Sequence, residues 1–248
     1  MAFLKRRRPS GLPVDWREQA ATSVTWFDPM VAEEQERIGE LAQRFLTEKD
    51  WEAANGFALT DEIRLTISLQ AALLVLGLTF DHYRMVKTII VHPSTMVWRG
   101  ERAGPVPGLR TDAPLSLLGQ AAHAGGPVVI AWDEARRNAR HPEHGHDVVL
   151  HELAHKLDML DHVVDGTPPL DTQAEHDRWV QVCTAEFEAI RAGDNGDLLW
   201  DYAGQDPGEF FAVATEVFFG RPKDLLDHNA DLYDILSSFY RQDPAAIT

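Results

Sequence analysis

The chain has 248 residues, 44% of them hydrophobic and 25% charged, with a formal charge of −16 at pH 7, which suits one large globular domain or two small ones. So acidic a body repels phosphate backbones and argues against nucleic acid as a partner, and no apolar run reaches the roughly 20 residues of a membrane-spanning helix. The single cysteine, Cys183, excludes an internal disulfide and cysteine-rich zinc sites, and leaves the cytoplasm as the expected compartment.

Residues 1–30 contain Pro9, Pro13 and Pro29 without a clear period. They read as an irregular arm, partly laid on the body by Trp16, Trp26 and Phe27. Lys5 to Arg8 form a basic tip, but no apolar stretch follows it. No secretory leader is expected there, and the tip reads as a soluble end. From Val31 onward Ile38, Leu41, Ala42, Phe45 and Leu46 recur at three- and four-residue steps, the pattern of an amphipathic helix. Asn55 and Gly56 break the next segment. Thr60 is placed to cap a long, mostly buried helix over residues 63–78, which Gly77 weakens at its end.

β-branched and apolar residues then predict strands over 88–92 and 96–98. Glycines and prolines make 100–114 a loop or irregular hairpin. Residues 128–132 carry the strongest strand signal of the chain. Residues 133–146 are polar and include His141, His144 and His146. A helix begins at Asp147, with Val149, Leu153, Leu157 and Leu160 along one face, and a polar loop follows over 161–174. Further helices are expected over 174–192, over 207–219 with Pro207 in the first turn, and over 223–240. Helices, then strands, then helices make an α+β fold with a small mixed sheet packed on helices. The expected organisation is an arm over 1–30 and a single domain over 31–248. Within it, 31–85 is helical and 86–248 holds the strands and the site-bearing helices.

The informative pattern is His-Glu-x-x-His at His151, Glu152 and His155. On a helix His151 and His155 lie about 40° apart, so both imidazoles reach one ion from consecutive turns. Glu152 lies about 100° from His151, within reach of a water on that ion. Two imidazoles and one oxygen ligand suit zinc with a fourth position left for water. Two satisfied core histidines beside a surface glutamate are the plainer explanation, but unpaired histidines in an apolar helix are costly to bury.

Glu216, a carboxylate in an apolar helix, is the best candidate for the third ligand. Glu209, two turns earlier, either lines the site or orients a ligand, or is only an acid favoured by the helix dipole. Asp158 is placed to accept a hydrogen bond from a ligand histidine, or else to cap the following loop. Tyr202 is a candidate hydrogen-bond donor to a developing oxyanion or a packing tyrosine, and Tyr233 is a weaker candidate. His141, His144 and His146 sit with Pro142 and Gly145 and read as a solvated loop rather than a second metal site. Cys183 lies in an ordinary helix and is expected to be buried and inert.

His151 to Asp158, then Asp165 and Gly166, then Glu209 to Val213 with Glu216, Phe218 and Phe219, resemble the Mlc titration factor A (MtfA) family of bacterial zinc peptidases. The segments 90–94 and 126–132 resemble strands of that family, and the likeness covers about residues 30–240. The resemblance implies a gluzincin whose fold is similar to the catalytic domain of anthrax lethal factor. It implies His151, His155 and Glu216 as zinc ligands, Glu152 as general base, and a cytoplasmic aminopeptidase-like activity. The related toxin fold carries a tyrosine seven residues before its ligand glutamate; here Glu209 stands at that position before Glu216. The family is also associated with binding a glucose-responsive repressor, Mlc, a partner to which no particular residue here points. Two functions follow as expectations: a peptidase acting on peptide or protein substrates, with an extended peptide held along the strand at 128–132, and a regulatory protein that sequesters a transcription factor.

Overall fold

The computed structural model describes residues 11–247, apart from 55, 95–96, 99–101, 104–109, 112–114, 117–125 and 195–197. The basic tip at Lys5 to Arg8 and most of the 100–114 stretch lie outside the described residues. Within the arm a short helix forms, α1 (Trp16–Ser23). Buried Trp16 and Ala20, with Phe27 edge-on to Trp16, bind it to the core. Trp16 also lies against Gly39, where any Cβ would meet its ring at 2.6 Å.

Helix α2 (Ala32–Glu48) buries Ile38, Leu41, Ala42, Phe45 and Leu46, the stripe expected from their spacing. Strand β1 (Asp50–Ala53) follows. Helix α3 (Asp61–Leu74) starts where the Thr60 side chain accepts from the Ile63 amide, and it is buried from Leu65 to its end. It stops four residues short of the expected boundary. Gly77 lies beyond it, so close to the backbone of Tyr240 and Arg241 that a Cβ would meet a carbonyl at 2.3 Å.

Strand β2 (Thr88–His92) lies between β1 and β7 (Val128–Ala131). All three run parallel, with Trp51 opposite Ile89 and Ile90 opposite Val129. Two short antiparallel ladders stand apart, β3 (Val97–Trp98) with β6 (Leu115–Ser116) and β4 (Arg102–Ala103) with β5 (Arg110–Thr111). The expected mixed sheet is therefore a parallel sheet with separate antiparallel pairs among the described residues.

Helix α4 (Trp132–Arg140) occupies a segment whose polarity conceals it in the sequence. Then come α5 (Val148–Asp158), α6 (Gln173–Ala192) and α7 (Pro207–Gly220). The last expected helix is two: α8 (Pro222–His228) and α9 (Ala230–Tyr240). Asn229 separates them and caps α9 by accepting from the Leu232 amide at 3.0 Å. The fold is α+β. Helices α5 and α7 pack on each other at its centre. No helix among the described residues is long and apolar enough to cross a membrane.

Candidate metal centre

Two helices build the site, and each begins with an aspartate cap. Asp147 Oδ1 accepts from the amides of Val149 and Leu150, which starts α5 and sets the phase of His151, Glu152 and His155. Asp206 Oδ1 accepts from the Glu209 amide at 3.0 Å, and Pro207 fills the first turn of α7. Because Asp206 caps the helix, the Glu209 side chain need not turn back to do so and extends toward α5.

The loop after α5 clamps the start of α7. Gly166 has φ +75°, and a Cβ there would lie 2.2 Å from the Pro207 carbonyl oxygen. Only glycine permits that approach. The Trp179 indole donates to the Gly166 carbonyl at 2.9 Å and holds the loop from its other side.

At the centre, His151 Nε2 and His155 Nε2 are 3.2 Å apart. Glu209 Oε2 lies 3.1 Å from the first and 3.5 Å from the second. This oxygen is buried yet makes no hydrogen bond of good geometry. Among the described residues these three side chains form the only group of histidine, cysteine or carboxylate ligands close enough to share an ion. A tetrahedral ion with bonds of 2.0–2.1 Å needs ligand atoms about 3.3 Å apart. The triangle has that size, so the residues present fit a metal of this class.

Glu216 does not join the triangle. Its Oε1 lies 2.6 Å from His151 Nδ1, and its Oε2 accepts from the Asp147 amide at 2.6 Å. Both oxygens are engaged on the far side of the His151 ring, so the expectation of Glu216 as third ligand departs from the geometry. Glu209 stands where that ligand was expected. The burial that makes Glu216 look like a ligand in the sequence is met by an imidazole N–H and a backbone N–H.

Glu152 is 1% exposed, and its Oε1 is buried without a protein hydrogen-bond partner. Burial pushes its carboxyl up to about 8, against the pull of His151 and Lys156. Burial also raises Glu209, but its contacts with His151 and His155 outweigh this and hold it well below the usual carboxylate range. Burial lowers His151, while Glu216 and Glu209 more than reverse that and raise it well above its ordinary value. Burial thus holds the Glu152 proton in the metal-free protein, while Glu209 is kept as a carboxylate against the two imidazoles, a donor that a divalent cation can use.

Tyr202 sits in a single turn, Asp201–Gly204, between α6 and α7. Its hydroxyl meets Glu209, and its ring centroid is 6.1 Å from that of His151. Burial and the neighbouring Glu209 raise its phenol, so it stays protonated at neutral pH. Tyr202 is 38% exposed, unlike the more deeply buried groups it neighbours. It precedes Glu209 by seven residues, the interval that the family resemblance counts back from Glu216.

Asp158 does not reach a ligand histidine. It is fully buried under the loop before α6, with Gly208 beside it. Burial raises it to about 6, and the amides of Asp165, Gly166 and Thr167 offset only part of that. Tyr233 is elsewhere, donating to Asp243 at 2.6 Å. His141 pairs with exposed Glu143 at 3.0 Å and stacks on His144, while His146 packs on Trp200. Cys183 is half-buried, and burial pushes its thiol up to about 12.

A family model described as glucose-regulated metallo-peptidase M90 matches residues 2–241. The chain belongs to this family. Relatives of this M90 chain include Mlc titration factor A of Pectobacterium atrosepticum, 30% identical, and of Serratia proteamaculans, 31% identical. Each alignment covers 92% of this chain and 86% or 87% of the relative. An uncharacterised protein of Synechocystis is 28% identical over 94% of this chain and 86% of its own length. M90 membership makes the centre that of a metallopeptidase family, in line with the triangle of His151, His155 and Glu209.

Proposed function

We propose that this chain is a zinc peptidase in which His151, His155 and Glu209 hold the ion and Glu152 is the general base. The observation that carries the reading is the triangle of three donor atoms, with the unpartnered Glu152 oxygen beside it. Two imidazoles and a carboxylate are the donor set of hydrolytic zinc sites, which keep one position open. When bound, such an ion acidifies water and polarises the scissile carbonyl.

The protein supplies the rest. Glu152 takes the proton of the attacking water and passes it to the leaving amine. Tyr202, kept protonated, donates to the oxyanion that develops on the substrate. Strand β7 is at an edge of its sheet among the described residues and packs against α5. It holds an extended substrate by main-chain hydrogen bonds. By resemblance the activity is aminopeptidase-like, and the single thiol fits the cytoplasm.

The decisive experiment is peptide hydrolysis with metal analysis. Glu152→Gln should keep the metal and lose about 10²–10⁴-fold in kcat. Chelation of the wild type should abolish turnover, and added zinc should restore it. A fully active Glu152→Gln protein would overturn the mechanism.

The names of the relatives favour a second role. Those proteins are named for titrating Mlc, and this chain is proposed to bind a transcriptional repressor as well. Calorimetry with purified repressor, on the wild type and on Glu152→Gln, should give equal affinity if binding is separate from hydrolysis.

A further inference from the structure

Glu209 and Glu216 are seven residues apart on α7, nearly two full turns, so they share one face of the helix. They meet the same imidazole from opposite sides. Glu209 Oε2 is 3.1 Å from His151 Nε2, and Glu216 Oε1 is 2.6 Å from His151 Nδ1. A carboxylate only accepts, so the Nδ1 proton belongs to the bond with Glu216. The second Glu216 oxygen accepts from the Asp147 amide at 2.6 Å. Asp147 is the residue whose own side chain caps α5. The side chains of Glu216 and His151 are 6% and 13% exposed, so water competes little for either bond.

We infer that Glu216 is a positioning residue that holds His151 in the Nδ1–H form with its Nε2 lone pair facing the metal, and registers the first turn of α5 against α7. Resting on the peptidase reading, this assigns the two glutamates of α7 different tasks: Glu209 binds the ion and Glu216 prepares a ligand for it. The argument is one of directions. An imidazole binds a metal through one nitrogen and fixes its ring through the other. The backbone donor at Asp147 fixes the carboxylate in turn, because it cannot rotate away.

The test is Glu216→Gln beside Glu209→Gln and the wild type, with zinc affinity measured by competition against a chromophoric chelator. In Glu216→Gln the carbonyl of the new side-chain amide is expected to accept from the Asp147 backbone N–H, which turns the amide NH₂ toward His151 Nδ1. That favours the wrong tautomer, with a proton on Nε2. Zinc affinity should fall about 10–100-fold, the effect of losing an outer partner, and Glu209→Gln should fall further. Nitrogen-15 spectra of the zinc-loaded wild type should show the His151 proton on Nδ1 and the metal on Nε2.

Unchanged zinc affinity in Glu216→Gln, or a wild-type proton on Nε2, would overturn the inference. So would a Glu216→Gln loss as large as that of Glu209→Gln, since it would make Glu216 a ligand. Should Glu216→Gln not fold, the wild-type spectrum alone decides. A wild type that binds no zinc removes the peptidase reading itself, an outcome distinct from all of these.

Discussion

The two faces of α7 solve the same problem in different ways. Glu209 and Glu216 lie on one, and Phe211 and Phe218 lie about 180° around the helix on the other. Both faces are almost wholly buried. On the aromatic face Phe211 meets Trp179 edge-on at 5.6 Å, and Phe218 stacks on Tyr240 at 5.7 Å. On the polar face hydrogen bonds and charge do the holding, through His151, His155 and the Asp147 amide. Packed rings set where the helix lies, whereas the carboxylates set how its partner's side chains point. Damage to the first should unfold the protein, and damage to the second should silence it while it stays folded.

The sharpest break of this contrast is Glu209→Gln. It is expected to lose zinc and turnover together, while the metal-free protein still folds. Metal analysis and urea unfolding on one preparation check both. Phe218→Ala is the mirror experiment. Its ring is fully buried, and truncation should cost about 3–5 kcal/mol of stability. The molecules that remain folded should bind zinc with wild-type affinity; a weakened site would show that the faces are not separable.

Asp158, under the polar end of α7, should give the protein a pH dependence that the aromatic face lacks. Its folded carboxyl is raised to about 6 by burial, against about 4 in the unfolded chain. Between these values the folded state binds more protons, so stability from this group is present below about pH 4 and lost as pH rises through 6. Two pH units set an upper bound of about 3 kcal/mol. Asp158→Asn should flatten that slope and gain stability over the wild type at pH 7 relative to pH 4. The smallest effect should come from Tyr240→Phe. It removes a buried 2.7 Å hydrogen bond to the Thr215 hydroxyl and should cost about 1–2 kcal/mol in a thermal or urea melt.

The parts of this molecule that are legible in advance are those written locally. The helices with a wide apolar stripe, α2, α5 and α7, stand where their spacing puts them. His151, Glu152 and His155 are visible because one helix turn carries all three. Elements held by their neighbours are not. Strand β1 is Asp-Trp-Glu-Ala and owes its conformation to pairing with β2. Helix α4 buries only Ala135, Asn138 and Ala139, too narrow a stripe to show as a period.

The exchange of Glu209 and Glu216 has the same origin. Their burial looks alike in sequence, and only tertiary contact says which one faces Nε2. One signal was available. Asp206 and Pro207 already serve the start of α7, so a further acid in its first turn was redundant for capping. The seven-residue interval back to Tyr202 points the same way once Glu209 is taken as its end.

Because α7 is gripped on both sides, a metal ion held at its polar face through Glu209 would also act as a rivet through the aromatic core. A ligand that binds only the folded state raises stability by RT ln(1 + [L]/Kd), about 2.7 kcal/mol at a hundredfold excess over Kd. On the zinc reading proposed above, metal supply would govern not only how much of this protein can work but how long each copy survives heat and proteolysis.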